Sequence, residues 1–263
     1  MDINNDLNKE NIMKKHQKTL LVALPLVAAM SLTGCNMNPD DLANLGIKGL
    51  KAATLSDDEV KQLSKDACAQ MDAESKIASA NSAYTKRLKK IVKGLGNKID
   101  GTPVNYKVYI TKDVNAWAMA NGCVRVYSGL MDLMTDNEIQ GVLGHELGHV
   151  ALGHSKKAMQ IAYATEIAQD AAAASGNAAI ASISKSKLGA LASAVVNSQF
   201  SQKQEQDADN YSFDFLVKKK INPAGLATAF DKLGGGDSSI LSSHPSSKSR
   251  AANIRKKLAE IKK

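Results

Sequence analysis

His145-Glu146-Leu147-Gly148-His149, set in a stretch of helical periodicity, is the segment from which the rest of the chain is read. A helix turns about 100° per residue, so imidazoles four apart lie about 40° apart on one face and can grip one zinc ion. Glu146 then stands beside that ion's open position, where a carboxylate can take a proton from water. Thr135-Asp136-Asn137-Glu138 reads as a capping box ahead of it. Ile139, Val142, Leu143, Leu147 and Val150 recur at helical spacing, so the histidines fall in a mostly buried helix. Gly141, Gly144 and Gly148 each cost up to about 1 kcal/mol against alanine in a helix interior. Lined along one side, they predict the close approach of another helix.

Two histidines do not complete a catalytic zinc site; a third protein ligand is needed, with water in the fourth position. On a continuous helix His154, five residues past His149, is rotated about 140° from it and reads as a surface residue or one behind the ligands. The metzincin spacing fails, because Leu152 and Ser155 stand where glycine and histidine are required. Downstream, Ser198 to Asp209 offers Glu205 and Asp209 four apart on a predicted helix. Both point the same way, so Glu205 can bind zinc while Asp209 accepts the free N–H of a ligating imidazole. Taken singly, Glu205 also fits a solvated helix glutamate.

In these residues the chain resembles the gluzincin endopeptidases that include the CAAX prenyl protease and the membrane protease HtpX. Their H-E-x-x-H is followed by E-x-x-A-D, which here reads Glu205-Gln206-Asp207-Ala208-Asp209, and a later His-Pro reads His244-Pro245. The resemblance covers roughly residues 80 to 260. It implies a zinc-dependent metalloendopeptidase with one Zn2+ per chain, held by His145, His149 and Glu205, with Glu146 as general base and protein or peptide as substrate. It also implies that Asn115-Ala116-Trp117 lies by the cleft, with the strand that follows forming its edge. A free strand edge there suits an extended peptide, whose backbone can pair with it. Trp117 fits an ordinary core aromatic equally well.

Residues 1–34 read as a signal peptide: Lys14, Lys15 and Lys18 precede an apolar run from Leu20 to Met30, too short to span a membrane. Leu32-Thr33-Gly34-Cys35 resembles the lipobox of bacterial lipoproteins, which implies a lipid anchor on Cys35. With Asn36 next, it implies sorting to the outer membrane, facing the periplasm. Residues 35–54 read as a lipidated tether and 55–263 as a single metallopeptidase domain, with N-terminal helices over 55–96 and the catalytic core over 97–263. Removal of 1–34 leaves 229 residues (263 − 34) and a formal charge of +7, since four lysines and three acids leave a chain of +8. Lys218-Lys219-Lys220 and the lysine-rich tail suit anionic lipid or acidic clients, or a solvated face. Aromatics are 4% and do not interleave with the basic runs, which argues against nucleic acid as a partner. Once Cys35 is lipidated, Cys68 and Cys123 remain as an even pair in an oxidising compartment, which predicts a disulfide, with two buried thiols as the alternative.

Helices are predicted from Ser56 to about Met71 and from Ser82 to Leu95. Strands follow over Val104–Ile110 and Cys123–Tyr127. Lys156 to Val196 reads as two helices broken around Ser175-Gly176-Asn177, placed over the cleft. A short helix follows Asn222-Pro223, and His244-Pro245 opens a last helix that carries Arg250, Ile254 and Leu258. The fold class is α+β: a mainly helical zinc-protease core with a small sheet whose edge strand borders the cleft. His244 carries two opposed expectations. Both are expected in turn: it binds zinc at rest and leaves the enzyme latent, and it donates N–H to the oxyanion once substrate is engaged, with a flexible Gly234–Ser243 segment letting it move. A helix cap is the structural alternative.

Overall fold

The computed structural model describes residues 55–173, 184–234, 239–244 and 247–261. The leader, Cys35 with its tether, the break at Ser175-Gly176-Asn177 and Pro245 lie outside the described residues. Helix α1 (Asp57–Glu74) starts on the expected capping box: the Ser56 hydroxyl accepts the Glu59 N–H, and the Glu59 carboxylate accepts the Ser56 N–H at 2.9 Å. α2 (Ala83–Leu95) begins on Ser82 and stops at Gly96, whose φ of 93° suits only glycine. A two-stranded ribbon, β1 (Lys98–Ile99) and β2 (Thr102–Pro103), leads to the main sheet of β3 (Asn105–Tyr109), β4 (Ala116–Ala118) and β5 (Cys123–Tyr127).

The strand order is β3-β5-β4, with β3 parallel and β4 antiparallel to β5. This corrects which strand forms the edge: the strand after Trp117 is central, and Ala116–Ala118 is itself the edge. The reason is visible in β5, where Val124 and Val126 are buried on one face and Cys123 and Arg125 on the other. Only a strand covered on both faces sustains that pattern.

The sheet divides two cores. Val108, Ala116, Ala118, Val124 and Val126 face the larger one, which is built with α2, α3 (Ser128–Leu133), α4 (Asp136–Ala151), α7 (Gln202–Lys218), α8 (Ala224–Leu233) and α10 (Ser247–Glu260). Tyr109, Trp117 and Cys123 face the smaller, closed by α1, α5 (His154–Ala173) and α6 (Lys185–Val196). The described parts of the Lys156–Val196 stretch are two helices, as expected, and their buried residues pack toward α1 and the sheet: α6 needs a partner for Leu191, Ala192 and Val195. A short α9 (Ser239–Ser243), unforeseen in the serine-rich segment, buries Ile240.

Cys68 and Cys123 form a disulfide with a Cα–Cα distance of 6.6 Å, joining α1 to β5. Beside it Asp72 of α1 receives Arg125 Nε at 2.7 Å and Nη2 at 2.9 Å, Lys107 Nζ at 2.6 Å and the Tyr109 hydroxyl at 2.8 Å. Burial pushes the Asp72 carboxyl up, but these donors outweigh it and hold the pKa at about 2.

Candidate active site

The capping box predicted at Thr135 is present: its hydroxyl accepts from the Glu138 N–H, and the Glu138 carboxylate accepts the Thr135 N–H at 2.8 Å. From this start α4 runs with one side against α7 and α8. A Cβ built at Gly141 would sit 2.7 Å from Leu226 Cα, at Gly144 2.5 Å from Ser212 Oγ, and at Gly148 3.0 Å from the Ala208 carbonyl oxygen. Gly144 and Gly148 therefore set the approach of the helix carrying His145 and His149 to the helix carrying Glu205 and Asp209, and Gly141 sets its approach to α8.

Four buried donors converge. His145 Nε2 lies 3.0 Å from His149 Nε2 and 3.2 Å from His244 Nδ1, and Glu205 Oε1 lies 3.3 Å from His149 Nε2 and 2.9 Å from His244 Nδ1. One ligand atom from each falls within 4.8 Å of the others. Tetrahedral zinc, with bonds of about 2.0–2.2 Å, sets its donors about 3.4 Å apart, so the spacing and the chemistry of the set fit such an ion. Burial, with Arg250 and His149 nearby, holds the His145 pKa well below its usual value, and burial takes that of His149 to about 4. Both rings are therefore neutral at pH 7, with lone pairs to offer. Burial pushes Glu205 up, but hydrogen bonds from His149 and His244 outweigh it and hold the carboxyl well below the usual range.

Behind the donors, Asp209 Oδ1 stands 2.8 Å from His145 Nδ1, the relation predicted from the four-residue spacing. Arg250 was legible only as a residue of the last helix, yet it is central. It is 8% exposed and grips Asp209 through Nε and Nη2, each at 2.7 Å; it also meets Glu205 Oε2 at 2.5 Å and lies over the Phe230 ring at 4.2 Å. Phe200, also missed, stacks on the His149 ring with centroids 3.9 Å apart. His154 is half-buried, with its Nδ1 3.0 Å from His149 Nδ1.

Glu146 is 3% exposed, and its Oε1 has no hydrogen-bond partner among the described residues. Burial raises its pKa to about 7, against the opposing pull of His244, whose Nε2 is 3.6 Å away. For His244, burial disfavours the charged ring, but Glu146 and Glu205 outweigh that and raise its pKa. Its backbone N–H bonds the Ile240 carbonyl at 2.9 Å, so it sits at the end of a helical turn.

β4 reaches the site through its backbone. Asn115 O and Met119 N bond β5, which by antiparallel alternation turns the groups of Ala116 and Ala118 outward. Ser155 Oγ takes the Ala118 carbonyl at 3.0 Å, the Ala118 amide bears on Glu146, and Asn115 Oδ1 accepts the Ala116 N–H at 2.9 Å. The Trp117 side chain is 4% exposed and meets Tyr109 edge to face at 5.9 Å, so it occupies the core position that the sequence left open as its alternative.

A helix bearing H-E-x-x-H, packed on a second helix that supplies a glutamate to the same buried point, defines a metalloprotease. The chain belongs to Peptidase family M48, whose profile matches residues 82–258. It is 54% identical over 247 residues to metalloprotease LoiP of Escherichia coli K12, spanning 92% of this chain and 97% of that one. To metalloprotease YcaL of the same organism it is 51% identical over 251 residues, 92% and 98% of the two chains. The beta-barrel assembly-enhancing protease of Yersinia pestis is 27% identical over 266 residues, 93% of this chain and 52% of that protein. Among the described residues no helix is long and apolar enough to cross a membrane.

Proposed function

We propose that the chain is a zinc endopeptidase of the periplasm, held at the outer membrane by lipid on Cys35, that hydrolyses misfolded or unassembled envelope proteins. The observation that carries the chemistry is the unpartnered Glu146 Oε1, buried beside four converging donors. His145, His149 and Glu205 would hold one Zn2+, which when bound supplies Lewis acidity and a water of lowered pKa. Asp209, itself fixed by Arg250, keeps His145 in the tautomer that turns Nε2 to the ion. Glu146 takes the proton as water oxygen bonds the scissile carbonyl carbon. When the C–N bond breaks, it returns that proton to the departing amine. Burial, which pushes its pKa upward, favours a carboxyl that can hold the proton before it releases it. The backbone edge of β4 at Ala116–Ala118, beside Asn115 and Trp117, would read an extended substrate, which has to displace the contacts that Asn115, Glu146 and Ser155 make there.

His244 Nδ1 stands among the four donors, which supports the latent half of its two roles: four protein donors leave no position for water. Its raised pKa supports the other half, as an N–H donor to the oxyanion once it turns from the cluster. A site closed by four protein ligands also fits a second reading, a chaperone-like envelope assembly factor with a latent or structural zinc. Purified protein incubated with casein separates the two. Cleavage is expected, and it should disappear in Glu146→Gln while zinc stays bound. Cleavage that persists in that variant, with contamination excluded, removes the mechanism; stoichiometric, tight zinc in Glu205→Ala removes the ligand assignment.

A further inference from the structure

His149 has a ring partner that the mechanism above leaves unused. α4 ends at Ala151, and Gly153, at a φ of 73°, turns the chain before α5 begins at His154. A Cβ at Gly153 would meet nothing within 4 Å, so the residue is required for its backbone conformation and not for space. The turn undoes the rotation that a continuous helix would impose and brings His154 Nδ1 to 3.0 Å from His149 Nδ1. That nitrogen faces away from the donor cluster, whose members are His145, His149, Glu205 and His244 without His154.

Of two facing imidazole nitrogens, one must donate and one accept. If His149 offers its Nε2 lone pair to a metal, its Nδ1 carries the proton, and His154 Nδ1 is the acceptor. The two ligand histidines then have matched supports from different sources: Asp209 of α7 behind His145 at 2.8 Å, and His154 of α5 behind His149. Phe200 stacks on the His149 face with an interplanar angle of 28°, so the ring is confined by its edge and its face together.

We propose that His154 is a positioning residue for the metal: it accepts the Nδ1–H of His149 and fixes the tautomer and ring plane in which Nε2 is presented. This rests on the zinc reading above. In the full-length protein, zinc affinity is measured by chelator competition for wild type, His154→Ala and His154→Gln, alongside thermal unfolding of the metal-free forms. His154→Ala is expected to bind zinc about 10–100-fold more weakly. His154→Gln, whose amide oxygen can accept the same N–H, is expected to stay within about threefold of wild type, and the metal-free proteins to unfold alike. Unchanged affinity in His154→Ala overturns the proposal. So does an equal loss in both variants that tracks a loss of metal-free stability, since that marks packing alone. Wild-type protein that takes up no zinc instead removes the zinc reading on which the proposal stands.

Discussion

Gly144 allows the helix contact under the metal cluster to be tested as a pair. In Gly144→Ala the new methyl would lie 2.5 Å from Ser212 Oγ, while the next contact, Ser212 Cβ at 3.4 Å, is ordinary. Overpacking a fitted interface costs about 1–3 kcal/mol, and alanine regains about 1 kcal/mol of helix propensity, so a net loss of about 1 kcal/mol is expected. Ser212→Ala removes a buried hydroxyl that donates to the Gly141 carbonyl at 3.0 Å, for about 1 kcal/mol. In the double variant the clash is gone, and the propensity gain offsets the lost hydrogen bond, so stability returns to near the wild-type value. The singles sum to a loss of about 2 kcal/mol and the double to about zero, a coupling well above the scatter of independent sites. Urea unfolding of the four proteins at pH 7 measures it. If the losses simply add, the close approach at Gly144 is not what fixes the spacing of α4 and α7.

Asp72 gives a pH-dependent stability of known sign. Its folded pKa of about 2 lies below the ordinary 3.8, so its contribution, about 2 kcal/mol, is present above that value and lost as pH falls from about 4 toward 2. Asp72→Asn should flatten unfolding curves across that window, and an unaltered slope would mean that the Arg125 pair does not tune the carboxyl. For the disulfide, the Cys68→Ser/Cys123→Ser variant should lose about 4 kcal/mol by the chain-entropy relation for a separation of 55 residues. Quantitative alkylation of both thiols in unreduced wild-type protein would refute the bridge.

What could be read from the sequence had local causes. Capping boxes at Ser56 and Thr135, the four-residue spacings of His145 with His149 and of Glu205 with Asp209, and the glycine side of α4 are all set within a turn or two of helix. The mixed sheet was harder, because three residues of β4 carry almost no periodic signal and their place at the edge depends on pairing with β5. His154 stands behind the ligands, one of the two places the sequence left open for it; the glycine at 153 was the available sign that the helix does not continue and that the ring turns back toward His149.

Arg250 was hidden differently, 105 residues from His145 and on a helix whose charges look like solvated ones. Glu205 and Asp209 lie one helical turn apart in the buried site, and burying a charge without a partner costs several kcal/mol, so the pair calls for a cation beside it. Arginine meets that need better than lysine, because its fork can bind Asp209 with two nitrogens and still reach Glu205 with the third. The same planar cation lies on the Phe230 ring, so one side chain from the last helix joins the charge balance of the site to the packing that holds α10 against α8.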